Sequence, residues 1–271
     1  MDTIQPSQFT FNETDSATTL GFRFGNKGAH ASRTMMLREL ELLCDSRPKT
    51  ATQDDYFDAI LEDNVTDKRT FTTRQSTRQR LIELYSLDPS LAIFRVMREF
   101  WEKDKLGRPL LALLCALTRD PLLRASAPYI LNLSPGDEVA RNKFTDALRE
   151  SVGDRFNDNT LDKIVRNTAS TWTQSGHLAG RVRKSRQLVS ATPLTVAYAL
   201  MLGHMLGRSG NRAFQTLWTL VLDSSWTELF AKATDASRLG VIKLKQSGDV
   251  TQLDFPGLIS KQEAKVINES N

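Results

Sequence analysis

The chain is poor in the residues that most often do chemistry. Its 271 residues include two cysteines and three histidines. Cys44 and Cys115 each sit in an apolar stretch of helical spacing. They read as small buried hydrophobes of a reducing, cytoplasmic setting, not as a disulfide or metal ligands. His30, His177 and His204 are far apart, with no second ligand at metal-binding spacing. Neither a Gly-x-x-x-x-Gly-Lys-Ser/Thr phosphate loop nor a Gly-x-Ser-x-Gly nucleophile turn occurs. Long apolar runs are missing too. Pro109 to Leu117 is the longest, and residues 193–207 are interrupted by Gly203 and His204. Both fall short of the about 18–20 residues that span a bilayer. The opening Met-Asp-Thr-Ile-Gln-Pro lacks the basic and apolar regions of a secretory signal. From these gaps no catalytic centre, no cofactor, no metal and no membrane association is expected.

What is present is a helical pattern. Apolar residues make up 40% and charged residues 25% of the chain, which suits a packed fold. Met36, Leu40 and Leu43 mark a helix from about Ser32 to Cys44. Thr52 and Asp55 form a capping-box pattern before a helix to Asp63, and a longer helix follows from Thr72 to Ser86. Asp88-Pro89, Arg108-Pro109, Asp120-Pro121 and Thr192-Pro193 mark four helix starts, and Pro128 is expected to bend or end its helix. Helices are also expected over 138–152, from Thr160 with an Asn159 cap, over 211–222 and over 225–238. Alternating residues around Gln246-Ser-Gly-Asp predict a β-hairpin near the end. The fold class is therefore mainly α: helical domains with helix-turn-helix or winged-helix-like units and a short C-terminal β-hairpin. Residues 1–28 read as a flexible arm, 29–132 and 133–259 as two helical domains split at Leu133-Ser-Pro-Gly-Asp, and 260–271 as a loose tail.

Charge is unevenly spread. Residues 68–82 hold five cations and no acid, and residues 160–190 hold six cations against Asp162. The net charge is only +4, so the remainder is acidic. Two basic windows on an acidic body suit an anionic partner such as nucleic acid. In the first window the apolar stripe of Leu81, Ile82 and Tyr85, carried backwards, meets Arg78, Gln75 and Arg74. The first half of that helix should therefore face outward. Arg and Gln suit base edges, while Ser, Thr and helix N-termini suit phosphates. The expected contacts are Lys68, Arg69, Thr72, Thr73, Arg74, Gln75, Thr77, Arg78 and Arg80. A solvated face or a protein-binding face fits the same residues. In the second window a helix carrying Lys163 and Arg166 precedes an extended basic stretch with Arg181, Arg183, Lys184 and Arg186. Helix then basic hairpin is the order of a winged helix, whose wing lies along phosphates. A basic surface loop is the alternative.

The run Leu-Arg-Glu-Leu-Glu-Leu-Leu from Leu37, then Ala59-Ile-Leu-Glu-Asp-Asn, Lys68-Arg-Thr and Arg80-Leu-Ile-Glu-Leu resembles the BrxA-like proteins of BREX phage-resistance systems. So does Thr160-Leu-Asp-Lys-Ile-Val-Arg-Asn ahead of Trp172 and Gly176. The likeness covers residues 30–205, and the C-terminal helix–hairpin is additional. It implies a non-catalytic, helical subunit that binds double-stranded DNA beside the other proteins of a defence complex. The rival is a helical scaffold that binds only protein partners.

Overall fold

The computed structural model describes residues 13–25, 27–248 and 250–269. The chain is mainly helical. Its helices are α1 (Asp15–Thr19), α2 (Leu37–Ser46), α3 (Gln53–Leu61), α4 (Phe71–Tyr85), α5 (Ala92–Lys103), α6 (Arg108–Arg119), α7 (Pro121–Leu131), α8 (Arg141–Val152) and α9 (Asp158–Gln174). A two-residue-stranded hairpin, β1 (Leu178–Ala179) and β2 (Ser185–Arg186), leads to α10 (Pro193–Met205), α11 (Leu217–Leu220) and α12 (Trp226–Arg238). The antiparallel pair β3 (Lys243–Ser247) and β4 (Val250–Asp254) and then α13 (Lys261–Glu269) complete the described chain.

Two helices with no polar face lie at the centre. Every residue from Leu110 to Arg119 in α6 is buried, as is every residue from Leu194 to Gly203 in α10. They pack on each other, and α4, α5 and α7 surround α6 while α12 covers α10. Burying one leucine of such a helix contributes roughly 1.5–3 kcal/mol, and this repeated gain holds the centre together. The ends are set by local chemistry. The Thr52 hydroxyl accepts from Asp55 N–H at 3.2 Å while the Asp55 carboxylate accepts from Thr52 N–H at 2.7 Å, the expected capping box. Asp120 caps α7, accepting from Leu122 and Leu123 N–H at 2.9 and 3.1 Å. No described helix is long and apolar enough to cross a membrane.

Several expectations fail for identifiable reasons. The arm is not free over its described part, because Ala17, Leu20 and Phe22 are buried and Phe22 meets Trp218 edge-on at 5.8 Å. Residues 1–12 lie outside the described residues. The tail is not loose through Glu269. It forms α13, Ile267 is buried, and Glu263 accepts from Arg95 at 2.7 Å and from Ala92 N–H at 2.9 Å. The turn at 133–137 bends the chain inside one contiguous buried cluster that takes in residues from both sides. Pro89 lies in the turn before α5, and α7 continues past Pro128 to Leu131. The cap of α9 is Asn157, two residues before Asn159. The expected 211–222 helix breaks at Thr216, whose ψ of 163° is extended, into a 3₁₀ turn and α11.

Candidate nucleic-acid interface

Helices α3 and α4 pack together around a turn at residues 62–70. That turn is longer than the about 3–4 residues of the DNA-binding helix-turn-helix. Here the structure separates the basic residues by role. Arg69, Thr72 and Gln75 are exposed, as the outward-facing reading requires. Others hold the fold. Arg74 donates to the Leu61 carbonyl, closing the C-terminal end of α3, and lies 5.6 Å from the Phe71 ring centre. The Arg78 guanidinium lies over Phe57 at 5.2 Å. Arg80 pairs with Glu83 on its own helix at 2.7 Å. Thr77 is buried at 2% exposure and, contrary to the sequence expectation, cannot reach a duplex. Thr73 belongs to the cap, with its hydroxyl 2.8 Å from that of Thr70. The sequence stripe failed here because a guanidinium can turn over an aromatic ring or reach a carbonyl while its stem stays on the helix surface.

The second window is a helix followed by a hairpin, as expected. The hairpin is wider than two strands, because residues 136–139 hydrogen-bond to its second strand. Gly136 N–H donates to Arg186 O at 2.8 Å, Arg186 N–H to Asp137 O at 2.9 Å, and Val139 N–H to Lys184 O at 2.8 Å. At the tip Gly180 takes φ +103°, and a Cβ there would stand 2.0 Å from the Arg183 carbonyl oxygen. Gly180→Ala is therefore expected to cost more than about 1 kcal/mol and to disorder the tip, read from the urea midpoint and from tip amide exchange. Beyond the glycine, Arg181, Val182 and Arg183 are exposed, Val182 at 92%. Arg183 is 3.9 Å from Glu138, and among the described residues no ion pair engages Arg181 or Lys163. Arg166 sits 3.2 Å from Asp162 at the helix surface. Lys184 is half-buried, donating to Thr173 Oγ1 at 2.8 Å, and burial lowers its ammonium pKa.

Arg186 contradicts the sequence reading. It is 2% exposed and grips the Asp223 carboxylate with both guanidinium nitrogens, one contact at 3.0 Å. Three other arginines are buried, and these serve helix ends. Arg98 donates to the Cys44 carbonyl at 2.7 Å, Arg119 to Ile82 and Glu83 at 3.2 and 3.1 Å, and Arg124 to Leu117 at 2.8 Å. Each reaches a carbonyl near a helix C-terminus, where the last turn leaves acceptors unpaired and the helix dipole favours a cation. Burial lowers Arg119 and Arg124 to about 10, so both stay charged at neutral pH. Part of the chain's basic content is thus internal.

The two windows meet through α2. Lys68 Nζ pairs with Glu39 on α2 at 2.8 Å, and Leu37 N–H at the start of α2 donates to Gln174 Oε1 at 3.2 Å. Gln174 closes α9 next to Thr173, which receives Lys184 from the hairpin. An unbroken chain of contacts therefore ties the turn before α4 to Lys184 in the hairpin loop, across about 115 residues of sequence.

Two buried constellations went unread in the sequence because their members are distant or lie inside helices. The His30 ring lies between an acid and a hydroxyl, with Nδ1 2.8 Å from Asp120 Oδ2 and Nε2 2.8 Å from Thr171 Oγ1. Thr171 Oγ1 in turn accepts from Met35 N–H at 2.8 Å. Burial would raise the Asp120 carboxyl, but the His30 ring and the backbone donors outweigh it and hold it below the usual range. The Ser175 hydroxyl lies 2.9 Å from His177 Nδ1, and His177 Nε2–H donates to Val221 O at 2.7 Å with Asp223 at 3.9 Å. Acid–histidine–hydroxyl order suits nucleophilic catalysis, but Thr171 and Ser175 are buried and a substrate cannot reach them. They work as internal fasteners. Among the described residues no group of three or more His, Cys, Asp or Glu side chains could hold a metal ion. Comparison with protein-family models, with curated proteins and with solved structures returned no match.

Proposed function

We propose that this chain is a DNA-binding accessory protein, of the kind its BrxA-like sequence pattern implies for a phage-defence complex. The observation that carries the reading is the contact chain from Lys68 through α2 to Lys184, which joins the two basic windows into one candidate surface. On that surface Arg69, Lys163, Arg181 and Arg183 are exposed and point charge at solvent, while Thr72 and Gln75 stand at the start of α4. A helix start offering Thr and Gln suits a phosphate and an adenine edge, and a basic hairpin suits the adjoining backbone. Arg74, Arg78 and Arg186 support this surface from behind rather than touch the duplex.

If these four cations neutralise about four phosphates, duplex affinity falls about a hundredfold or slightly more between 50 and 200 mM salt. Arg181→Ala with Arg183→Ala should flatten the log–log salt slope by about two. A gel-shift or anisotropy salt series on wild type and double variant measures both. A salt-independent affinity, or none for duplex DNA, would sink the proposal. The exposed apolar Val182 favours one second reading, a helical scaffold docking protein partners through the hairpin. That reading expects the same double variant to lose a pull-down partner while duplex binding is unchanged or absent.

A further inference from the structure

A cleft of about 620 Å³ opens between α8, α9 and the hairpin tip. This lies within the range of about 300–1,000 Å³ that small-ligand sites occupy. Its floor is apolar, made by Val139, Val165 and Ala169 above the buried Phe144 ring. Its rim is cationic: Arg141 and Arg166 from the two helices, Arg181 and Lys184 from the hairpin. A single carboxylate, Asp162, bridges the two helical arginines, Arg166 at 3.2 Å, and holds their planar groups at the mouth. Four cations and no acid line the cleft, and with Asp162 beside two of them and Glu138 3.9 Å from Arg183 the mouth stays net positive. Lys184 is held there by neutral oxygens, Thr173 Oγ1 at 2.8 Å and the Gly180 carbonyl at 3.3 Å. The Ser170 hydroxyl also lines the cleft.

We propose that this cleft receives a single unpaired nucleotide. The inference rests on the reading that the hairpin face meets nucleic acid, and it adds what that face selects. The parts match the chemistry of a nucleotide one by one. An extruded base packs between apolar side chains and on guanidinium planes. Its phosphates need charge-assisted hydrogen bonds of the kind the arginine and lysine rim offers. A hydroxyl such as that of Ser170 can donate to or accept from a base edge. Val182, exposed at the lip, stands where it can cover the gap an extruded base leaves in the stack.

The test is fluorescence anisotropy at fixed salt with three labelled probes: a blunt duplex, the same duplex with one bulged nucleotide, and the same with an abasic bulge. The bulged duplex is expected to bind about tenfold tighter than the blunt one, a difference in the range of one base-stacking contact. The abasic bulge should bind like the blunt duplex, and free adenosine monophosphate should compete only with the bulged probe. Ala169→Phe fills the floor and should erase the preference while leaving blunt-duplex affinity unchanged. Ser170→Trp, at a half-buried position, does the same if the first variant folds poorly. Equal affinity for bulged and blunt duplex overturns the nucleotide cleft and leaves the duplex-binding proposal standing. Absence of binding to every probe overturns both.

Discussion

Arg186→Ala is expected to lower the free energy of unfolding by about 3–5 kcal/mol, because it strands a buried carboxylate without its cation. Arg186 and Asp223 are 2% and 6% exposed in their side chains. The Asp223 carboxylate accepts from both guanidinium nitrogens and from Val189 N–H at 3.1 Å. Asp223 takes φ +50°, a left-handed conformation that these bonds hold in place. Arg186→Lys should recover only part of the loss, since an ammonium cannot make the two-pronged contact. Chemical denaturation of the three proteins measures it. The outcome separates two roles sharply: a solvent-facing phosphate contact would change stability by no more than about 0.5 kcal/mol when truncated. A loss that small would refute the buried-clamp assignment.

Acid should destabilise the fold before its carboxylates titrate. Burial lowers the His177 imidazole from 6.5 to about 4, with nearby Asp223 opposing and Arg186 assisting the shift. The sign follows from proton counts. Between those two values the unfolded chain binds a proton that the folded chain refuses, so stability rises with pH across the window. The His177 contribution is fully present above about 6.5, is lost as pH falls towards 4, and amounts to about 3 kcal/mol in total. His204 is also lowered by burial and acts in the same direction. His177→Gln keeps a side-chain donor for the Val221 carbonyl and has nothing to protonate. Its unfolding free energy should change much less between pH 7 and pH 4.5 than that of wild type. Parallel urea titrations at several pH values compare the two, and equal slopes would refute the assignment.

Local grammar was legible in the sequence. Thr52 with Asp55, Asp120-Pro121 and Thr192-Pro193 each mark an element boundary that the structure keeps, because caps and prolines act within a single turn. The C-terminal hairpin was equally readable from its alternation. Fate of charge was not. Arg181 and Arg186 lie in one basic run, yet one faces solvent and the other fills the interior. What decides between them is Asp223, far along the chain, and no local spacing encodes that partner. The same holds for Arg78, whose resting place is a ring on the preceding helix, and for Glu263, which turns an apparently polar tail into a docked helix. The cleft was invisible for a related reason: Val139, Ala169 and Arg181 come from three elements and share no pattern in sequence.

Helix α5 has no side-chain cap of its own, since Leu91 occupies that position and the Ala92 N–H is received by Glu263. During synthesis that amide waits for a carboxylate made 171 residues later. The first amide of α5 therefore stays uncapped until α13 has been made and has docked. A chain cut before α13 should fray at the first turn of α5, at about 1 kcal/mol, the ordinary worth of one helix cap.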